Sequence, residues 1–190
     1  FPKAKPLTKA FLDLGINSNE TLVGIAPFAA HSSKMYPLDK METVISELSK
    51  DYKVILFGGG EKEIEVLNAF EAKYNNVISV AGKLNFEDEL ALISNLKLML
   101  AMDSGNGHIA AMFGIKVITI WGVTHPFAGF VPFNQPEDFQ LTADRDEYPK
   151  IPTSIYGNKY PEGYENAAGS VAVEAIVSKI KYVIPAKAGI

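Results

Sequence analysis

Two periodicities alternate along this chain. Short, nearly continuous apolar runs, typical of strands buried on both faces, cover residues 22–28, 52–60, 77–82, 96–102 and 116–122. Apolar residues at helical spacing occupy 37–50, 61–74, 85–96, 107–113 and 170–184. Because parallel strands need helical crossovers, this order predicts an α/β fold with a parallel sheet and helices on both faces.

Residue types at the helix ends predict where several helices begin. Asn85 is expected to cap the helix over 85–96, and Ser170 the final helix, because their side-chain oxygens can accept from free backbone N–H groups. Pro37 suits the first turn of the helix over 37–50, since its fixed φ is already helical.

The periodicity fades between Val123 and Asn166, where proline, glycine and aromatic residues predominate. We predict a long structured loop there, which covers the sheet edge or contacts an acceptor or a membrane. Without a strong linker, residues 1–190 are expected to form one domain. Its core would span about 22–126, the loop about 123–166 and the last helix about 170–184.

Composition narrows the class of protein. The 190 residues are 47 % apolar and carry a formal charge of -4, which allows a sizeable core and gives no reason to expect nucleic acid as a partner. The chain has no cysteine, which excludes disulfides and fits a reducing, cytoplasmic location. Its longest apolar runs are too short to cross a bilayer.

Polar turns follow four of the predicted strands. They read "AAHSSKMYP", "GGGEKE", "DSGNGH" and "GVTHP". In open α/β sheets, ligands bind beyond the carboxyl ends of the strands, where these turns should meet. The sequence therefore predicts a ligand site at this edge of the sheet.

The turn after Asp103 suggests which ligand this is. Ser104 and Gly105 lead into a helix, whose free N–H groups and dipole attract an anion such as phosphate. His108 in the first turn and Lys34 from the first polar turn can add donors. Asp103 would repel phosphate but can accept hydrogen bonds from sugar hydroxyls. Together these residues favour a phosphorylated sugar.

Each of these residues also has a purely structural interpretation. Ser104 can be a helix cap and Asp103 a turn former, while His108 can be structural and Lys34 a solvated charge. Glu61 in "GGGEKE" can simply complement a helix dipole. The segment "FGGGE" has neither dinucleotide nor Walker-loop spacing.

Zinc is the one metal that the sequence makes geometrically possible. His31, His108 and His125 follow three different strands, whose ends can converge. We nevertheless predict that no metal is bound.

Three of the motifs, in this order, resemble the C-terminal half of glycosyltransferase family 9, the heptosyltransferases of lipopolysaccharide assembly. "AHSSKMYP" resembles the family's Lys-x-Trp-Pro segment, with Tyr36 in place of tryptophan. "LFGGGEKE" resembles its glycine turn followed by glutamate, and "DSGNGH" its Asp-Ser/Thr-Gly-x-x-His hallmark. The likeness runs from about Val23 to Pro126.

The resemblance implies the GT-B architecture, in which two Rossmann-like domains face each other and the C-terminal one binds a nucleotide-sugar donor, typically ADP-heptose. It implies no metal cofactor. The donor-binding residues that it implies here are Lys34, Glu61, Leu84, Asp103, Ser104, Gly105 and His108. Lys34, His108 and the backbone of Ser104 and Gly105 would hold the phosphates. Asp103 would hold sugar hydroxyls, Glu61 the nucleoside or sugar, and Leu84 would lie near the base.

By the same resemblance, the acceptor site and the catalytic base belong to an N-terminal domain, which we expect to be absent because nothing before Leu22 is long enough. No catalytic residue is then expected here, and the chain alone should be inactive. The intact enzyme would be an inverting glycosyltransferase of lipopolysaccharide or surface-glycan synthesis. It would act on a lipid-linked or oligosaccharide acceptor, in the cytoplasm or peripherally at the inner face of the bacterial inner membrane. The alternatives are a stand-alone nucleotide-sugar binding module and part of a GT-B-type nucleotide-sugar epimerase.

Overall fold

A computed structural model of the protein describes residues 1–6, 9–17 and 19–185. The strands are Leu22–Ala26 (β1), Lys53–Leu56 (β2), Val77–Ser79 (β3), Leu98–Met102 (β4), Lys116–Trp121 (β5) and Gln140–Thr142 (β6). The α-helices are Lys9–Asp13 (α1), Leu38–Leu48 (α2), Glu61–Lys73 (α3), Phe86–Ile93 (α4), Gly105–Met112 (α5) and Val173–Val183 (α6). None of these helices is both long and apolar enough to span a membrane.

The six strands form one parallel sheet in the order β3-β2-β1-β4-β5-β6. This confirms the predicted parallel α/β fold. The chain builds one half of the sheet outward from β1 and then returns to β4 on the other side of β1. Beyond the carboxyl ends of β1 and β4 the connections therefore diverge, which opens a crevice between them.

Both faces of the sheet are covered, as strands that are apolar on both sides require. Side chains from β1, β2, β4 and β5 alternate between two cores. One core packs against α2, α3 and α6, and includes Met41, Leu67 and Ile180. The other packs against α1, α4 and α5, and includes Phe11 and Leu92. The prediction of helices on both faces is confirmed.

The segment 123–166 is ordered around a small apolar core of its own. Val123, Ala143, Ile151 and Ala167 are buried together, with Tyr148 and Tyr164 packed against them. The residues of this segment are therefore held by packing. The prediction missed the short strand β6 inside it, because three residues are too few to show a periodicity. The division of the chain into a single domain stays a prediction.

Several helix ends differ from the prediction. The last helix begins at Val173 rather than at Ser170, whose hydroxyl instead donates to the Ala167 carbonyl and accepts from the Asp144 N–H. Pro37 precedes α2 rather than lying in its first turn, and its carbonyl accepts from the Met41 N–H. The cap at Asn85 is confirmed, because its side chain accepts from the Asp88 N–H at 2.9 Å.

The predicted strands run past the hydrogen-bonded ladder, most of all at 52–60, where only Lys53–Leu56 pair. The helix expected over 107–113 begins two residues earlier, at Gly105. Gly105 and Gly107 are therefore helical rather than turn residues, and a Cβ at Gly107 would lie 3.3 Å from the Ala101 Cβ. The helix α1 was not predicted, because its five residues carry a single buried side chain, Phe11.

Candidate functional site

A buried ion pair lies beyond the carboxyl ends of β1 and β4. The Lys34 Nζ is 2.8 Å from the Asp103 Oδ2, and the side chains are only 12 % and 6 % exposed. Thr124, which follows β5, donates its hydroxyl to the same carboxylate oxygen at 2.9 Å. We call Lys34, Asp103 and Thr124 the paired cluster. Because these strands are neighbours, three distant segments of sequence meet in one hydrogen-bonded group.

Lys34 belongs to a 3₁₀ turn, Ser32–Lys34, that crosses over the end of β5. The Val123 N–H donates to the Ser33 carbonyl at 3.3 Å. A side chain at Gly122 would collide with that same carbonyl, since its Cβ would lie 2.3 Å away. The glycine in "GVTHP" therefore permits the close backbone approach that brings Lys34 to Asp103.

A cavity of about 380 Å³ opens on the other side of the β4 end. We call it the edge cavity. It lies where β1, β2 and β4 end and α5 begins. Its lining comprises Ala26, Phe28, Ala29, Ala30, Phe57, Gly58, Gly59, Glu63, Glu89, Ser104, Gly105 and Asn106.

Ser104 occupies the N-cap position of α5, yet its side chain makes no capping hydrogen bond. The Ser104 Oγ is buried and has no hydrogen-bond partner among the described residues. The helix also leaves its first N–H groups without intrahelical partners. This end of the edge cavity therefore presents donors with a partial positive charge, which suit an anion.

Two carboxylates line the edge cavity, and sequence reasoning missed both. Glu63 accepts from the Gly59 N–H at 2.8 Å. Glu89 is half-buried, and its burial raises the pKa of its carboxyl. Glu63 had a detectable signal, because an acid at the third position of a helix can reach back to the preceding turn. No sequence signal distinguishes Glu89, since it is one of three acidic residues in the first turn of α4.

The seven residues predicted for donor binding fall into three groups. Ser104 and Gly105 line the edge cavity, and Lys34 and Asp103 form the adjacent ion pair. The third group, Glu61, Leu84 and His108, lies outside both. Glu61 is exposed in the first turn of α3, and Glu63 lines the cavity instead.

Leu84 packs, half-buried, against the core on the α4 and α5 face of the sheet. His108 is half-buried in the first turn of α5 and is not part of the cavity lining. The roles of all seven residues stay predictions.

No three histidine, aspartate or glutamate side chains come together as a metal site in the part of the chain that the structure describes. The zinc alternative is therefore not supported. His125 has another role, since its Nδ1 accepts from the Phe127 N–H at 3.2 Å and its ring packs 4.0 Å from that of Phe127. Burial and the nearby Arg145 lower the pKa of His125.

The sheet order, with a cavity at the switch point between β1 and β4, is typical of nucleotide-binding α/β domains. The model of glycosyltransferase family 9 (heptosyltransferase) matches residues 3–153, and the chain belongs to this family. The predicted resemblance is thereby confirmed.

Curated relatives are heptosyltransferases of bacterial lipopolysaccharide synthesis. Lipopolysaccharide heptosyltransferase 3 of Escherichia coli is 32 % identical over 114 residues, which are 58 % of this chain and 33 % of the relative. Lipopolysaccharide core heptosyltransferase OpsX of Haemophilus influenzae is 23 % identical over 95 % of this chain and 55 % of the relative. The chain thus spans about a third to a half of the length of these relatives.

Solved structures of the family share the fold. A family 9 glycosyltransferase from Veillonella parvula matches with a TM-score of 0.72 over 93 % of this chain and 50 % of its own, at 18 % identity. E. coli ADP-heptose heptosyltransferase II matches with 0.68 at 18 % identity, over 92 % of this chain and 50 % of its own. E. coli heptosyltransferase WaaC, solved with ADP, matches with a TM-score of 0.65 at 17 % identity, over 91 % of this chain and 47 % of its own. These likenesses confirm the fold of one half of a GT-B enzyme.

One further neighbour bears on cofactors. The heptosyltransferase TibC of enterotoxigenic E. coli, described as iron-containing, matches with a TM-score of 0.59 at 14 % identity, over 90 % of this chain and 48 % of its own. Metal independence of the present protein therefore stays a prediction.

Proposed function

We propose that this chain is the donor-binding half of an inverting glycosyltransferase of lipopolysaccharide or surface-glycan synthesis, and that its donor is ADP-heptose. The observation that carries the proposal is the edge cavity in a family 9 chain, with the amino end of α5 on one side and the paired cluster next to it. The solved complex of the structural neighbour WaaC contains ADP, which supports an adenine nucleotide.

The charges suggest the orientation of the donor. The diphosphate would bind the free N–H groups of α5 and the Ser104 hydroxyl, close to the ammonium of Lys34. Glu63 and Glu89 would repel phosphate and accept hydrogen bonds from ribose hydroxyls or a base amino group. Asp103 would accept from hydroxyls of the donor sugar once Lys34 turns to the phosphates.

In the reaction, a hydroxyl of the acceptor attacks the anomeric carbon as the bond to the diphosphate breaks. Negative charge grows on the leaving nucleoside diphosphate. The amino end of α5, Lys34 and His108 would stabilise this charge through donors that are already oriented. The base that takes the proton of the acceptor would come from outside this chain, and we expect the chain alone to be inactive.

The acceptor of the whole enzyme would be a lipid-linked or oligosaccharide chain. We propose that the enzyme acts at the cytoplasmic side of the inner membrane. Exposed aromatic side chains at Phe127, Phe130 and Tyr156 support peripheral contact with lipid, because aromatic rings partition well into membrane interfaces.

Calorimetric titration of the chain with ADP, UDP, GDP and ADP-heptose tests the proposal. We expect ADP to bind, and ADP-heptose to bind more tightly. Lys34→Ala should weaken ADP binding about tenfold, the worth of one charge-assisted hydrogen bond. Lys50→Ala is the control, because Lys50 forms an exposed ion pair with Glu47, on the helix α2. Equal ADP affinity in the wild type and Lys34→Ala would remove Lys34 from the site, and failure of the wild type to bind ADP or ADP-heptose would overturn the proposal.

A further inference from the structure

The stem of Lys34 is held by a turn from the long loop. Gly157 has φ +74°, in the left-handed region, and its backbone lies against the lysine. A Cβ added there would lie 2.7 Å from the Lys34 Cγ, 2.8 Å from its Cδ and 3.1 Å from the Thr124 Cγ2. The slot for Lys34 therefore exists only because residue 157 has no side chain.

The turn that carries Gly157 is fixed to the ends of the strands. The buried Ser33 hydroxyl donates to the Gly157 carbonyl at 2.5 Å. The Thr153 N–H donates to the Val123 carbonyl at 3.0 Å, and the Thr153 hydroxyl to the Lys159 carbonyl at 2.7 Å. The turn is thus bonded both to the residue beside Lys34 and to the connection after β5.

We propose that this turn, residues 153–159, is a positioning element of the donor site, and that Gly157 is its positioning residue. It holds the Cγ and Cδ atoms of Lys34 in place, so that only the end of the side chain has to turn from Asp103 to the donor phosphates. This inference rests on the proposed function. It assigns to a loop outside the family hallmark motifs a direct influence on the residue that meets the donor phosphates.

The physical reason is side-chain entropy. A free lysine loses much rotamer freedom when a ligand fixes its ammonium, and this loss weakens binding. A lysine whose stem is already confined loses less. The turn should therefore raise donor affinity without touching the donor.

Gly157→Ala and Gly163→Ala form a matched pair. Gly163 lies in the same loop with φ +85°, and a Cβ there would meet nothing within 4 Å. Both substitutions strain a left-handed backbone by a similar amount, but only Gly157→Ala pushes on Lys34. We expect ADP affinity to fall about tenfold in Gly157→Ala and to change by less than about twofold in Gly163→Ala.

A double-mutant cycle separates positioning from general damage. In a Lys34→Ala background, Gly157→Ala should have no further effect on ADP affinity, whereas the part of its effect on the melting temperature that comes from the left-handed backbone should persist. Ser33→Ala, which frees the turn without a new Cβ contact, should also lower ADP affinity only when Lys34 is present. If Gly157→Ala fails to fold, Ser33→Ala tests the positioning role in its place.

Acylation of lysines followed by mass spectrometry gives a measurement that needs no nucleotide. Lys34 should be protected in the wild type and in Gly163→Ala, and become several-fold more reactive in Gly157→Ala and Ser33→Ala. If the wild-type chain binds neither ADP nor ADP-heptose, the proposed function fails. If Lys34→Ala binds ADP as tightly as the wild type, Lys34 is not part of the site and the positioning role falls with it. If Lys34→Ala binds weakly but Gly157→Ala matches Gly163→Ala in affinity and in Lys34 reactivity, the positioning role alone is overturned.

Discussion

The two sides of the β4 end differ in how far their polar groups are satisfied. In the paired cluster, the carboxylate of Asp103 holds the Lys34 ammonium and the Thr124 hydroxyl, and little of either charged side chain is exposed. In the edge cavity, the Ser104 Oγ has no partner among the described residues, and Glu89 is half-buried at a raised pKa. One side is complete without a ligand, whereas the other keeps a hydroxyl oxygen that has no partner among the described residues.

The path of the chain explains this difference. The connection after β1 lines the edge cavity with Ala29 and Ala30, then crosses to the β5 side, where it delivers Ser33 and Lys34. Small residues make up much of the cavity lining, because Gly58 and Gly59 after β2 add no side chains. The paired cluster is closed because three connections converge there.

The largest expected effect comes from breaking the paired cluster. Asp103→Ala leaves the ammonium of Lys34 mostly buried and without its carboxylate. We expect a loss of about 3 kcal/mol in the free energy of unfolding, measured by urea denaturation. Asp51→Ala, which removes an exposed partner of Lys181, is the control and should cost less than about 1 kcal/mol. A loss for Asp103→Ala no larger than that control would contradict the description of a buried, structural ion pair.

Removing one hydroxyl from each side sharpens the comparison. Thr124→Val deletes a donor to Asp103 and should lower the free energy of unfolding by about 1 kcal/mol. Ser104→Ala deletes a hydroxyl that bonds nothing among the described residues, so stability should change by less than about 0.5 kcal/mol although the position is a helix cap. ADP affinity should fall about fivefold in Ser104→Ala. A clear loss of stability in Ser104→Ala would mean that its hydroxyl caps α5 after all.

The smallest expected effect concerns Glu89. Its pKa is raised by burial, so ionisation costs the folded state more than the unfolded state, and the glutamate becomes destabilising as pH rises above its ordinary pKa. Glu89→Gln should therefore raise the melting temperature by a few degrees at pH 7.5, and this gain should disappear near pH 4. Glu87→Gln, two residues earlier and largely exposed, is the control and should show no such gain. A gain that persists unchanged at pH 4 would assign the effect to packing rather than to charge.

Most of the sheet could be predicted from the sequence, because strands buried on both faces must be almost wholly apolar. Residues such as Val54 and Leu100 lie within apolar runs and are fully buried. The helices α2 to α5 could be predicted from the helical spacing of apolar residues, and the N-cap of α4 from the residue type of Asn85. The prediction did worst where structure depends on contacts between distant segments, as at Ser170, whose hydroxyl bonds Ala167 and Asp144 instead of a helix.

The candidate site divides in the same way. Lys34, Asp103, Ser104 and Gly105 could be selected because each follows a strand, and parallel strands bring their carboxyl ends to one edge. That Glu63 rather than Glu61 faces the edge cavity depends on the direction of α3 relative to the glycine turn. A choice between two acids of one helix turn needs the orientation of that helix, which the residue types do not contain.

By itself the sequence determined the order of strands β1 to β5 and helices α2 to α6, the edge at which polar turns gather and the family to which the motifs belong. These features depend on local periodicity and on the general geometry of parallel sheets. Only the tertiary structure decided that Lys34 and Thr124 both bind Asp103, that the Ser104 hydroxyl has no partner within the described part of the chain, and that Gly157 confines the stem of Lys34. Such contacts join residues up to 123 positions apart, as between Lys34 and Gly157. Their distances are set by packing between distant segments, which a local sequence pattern does not contain.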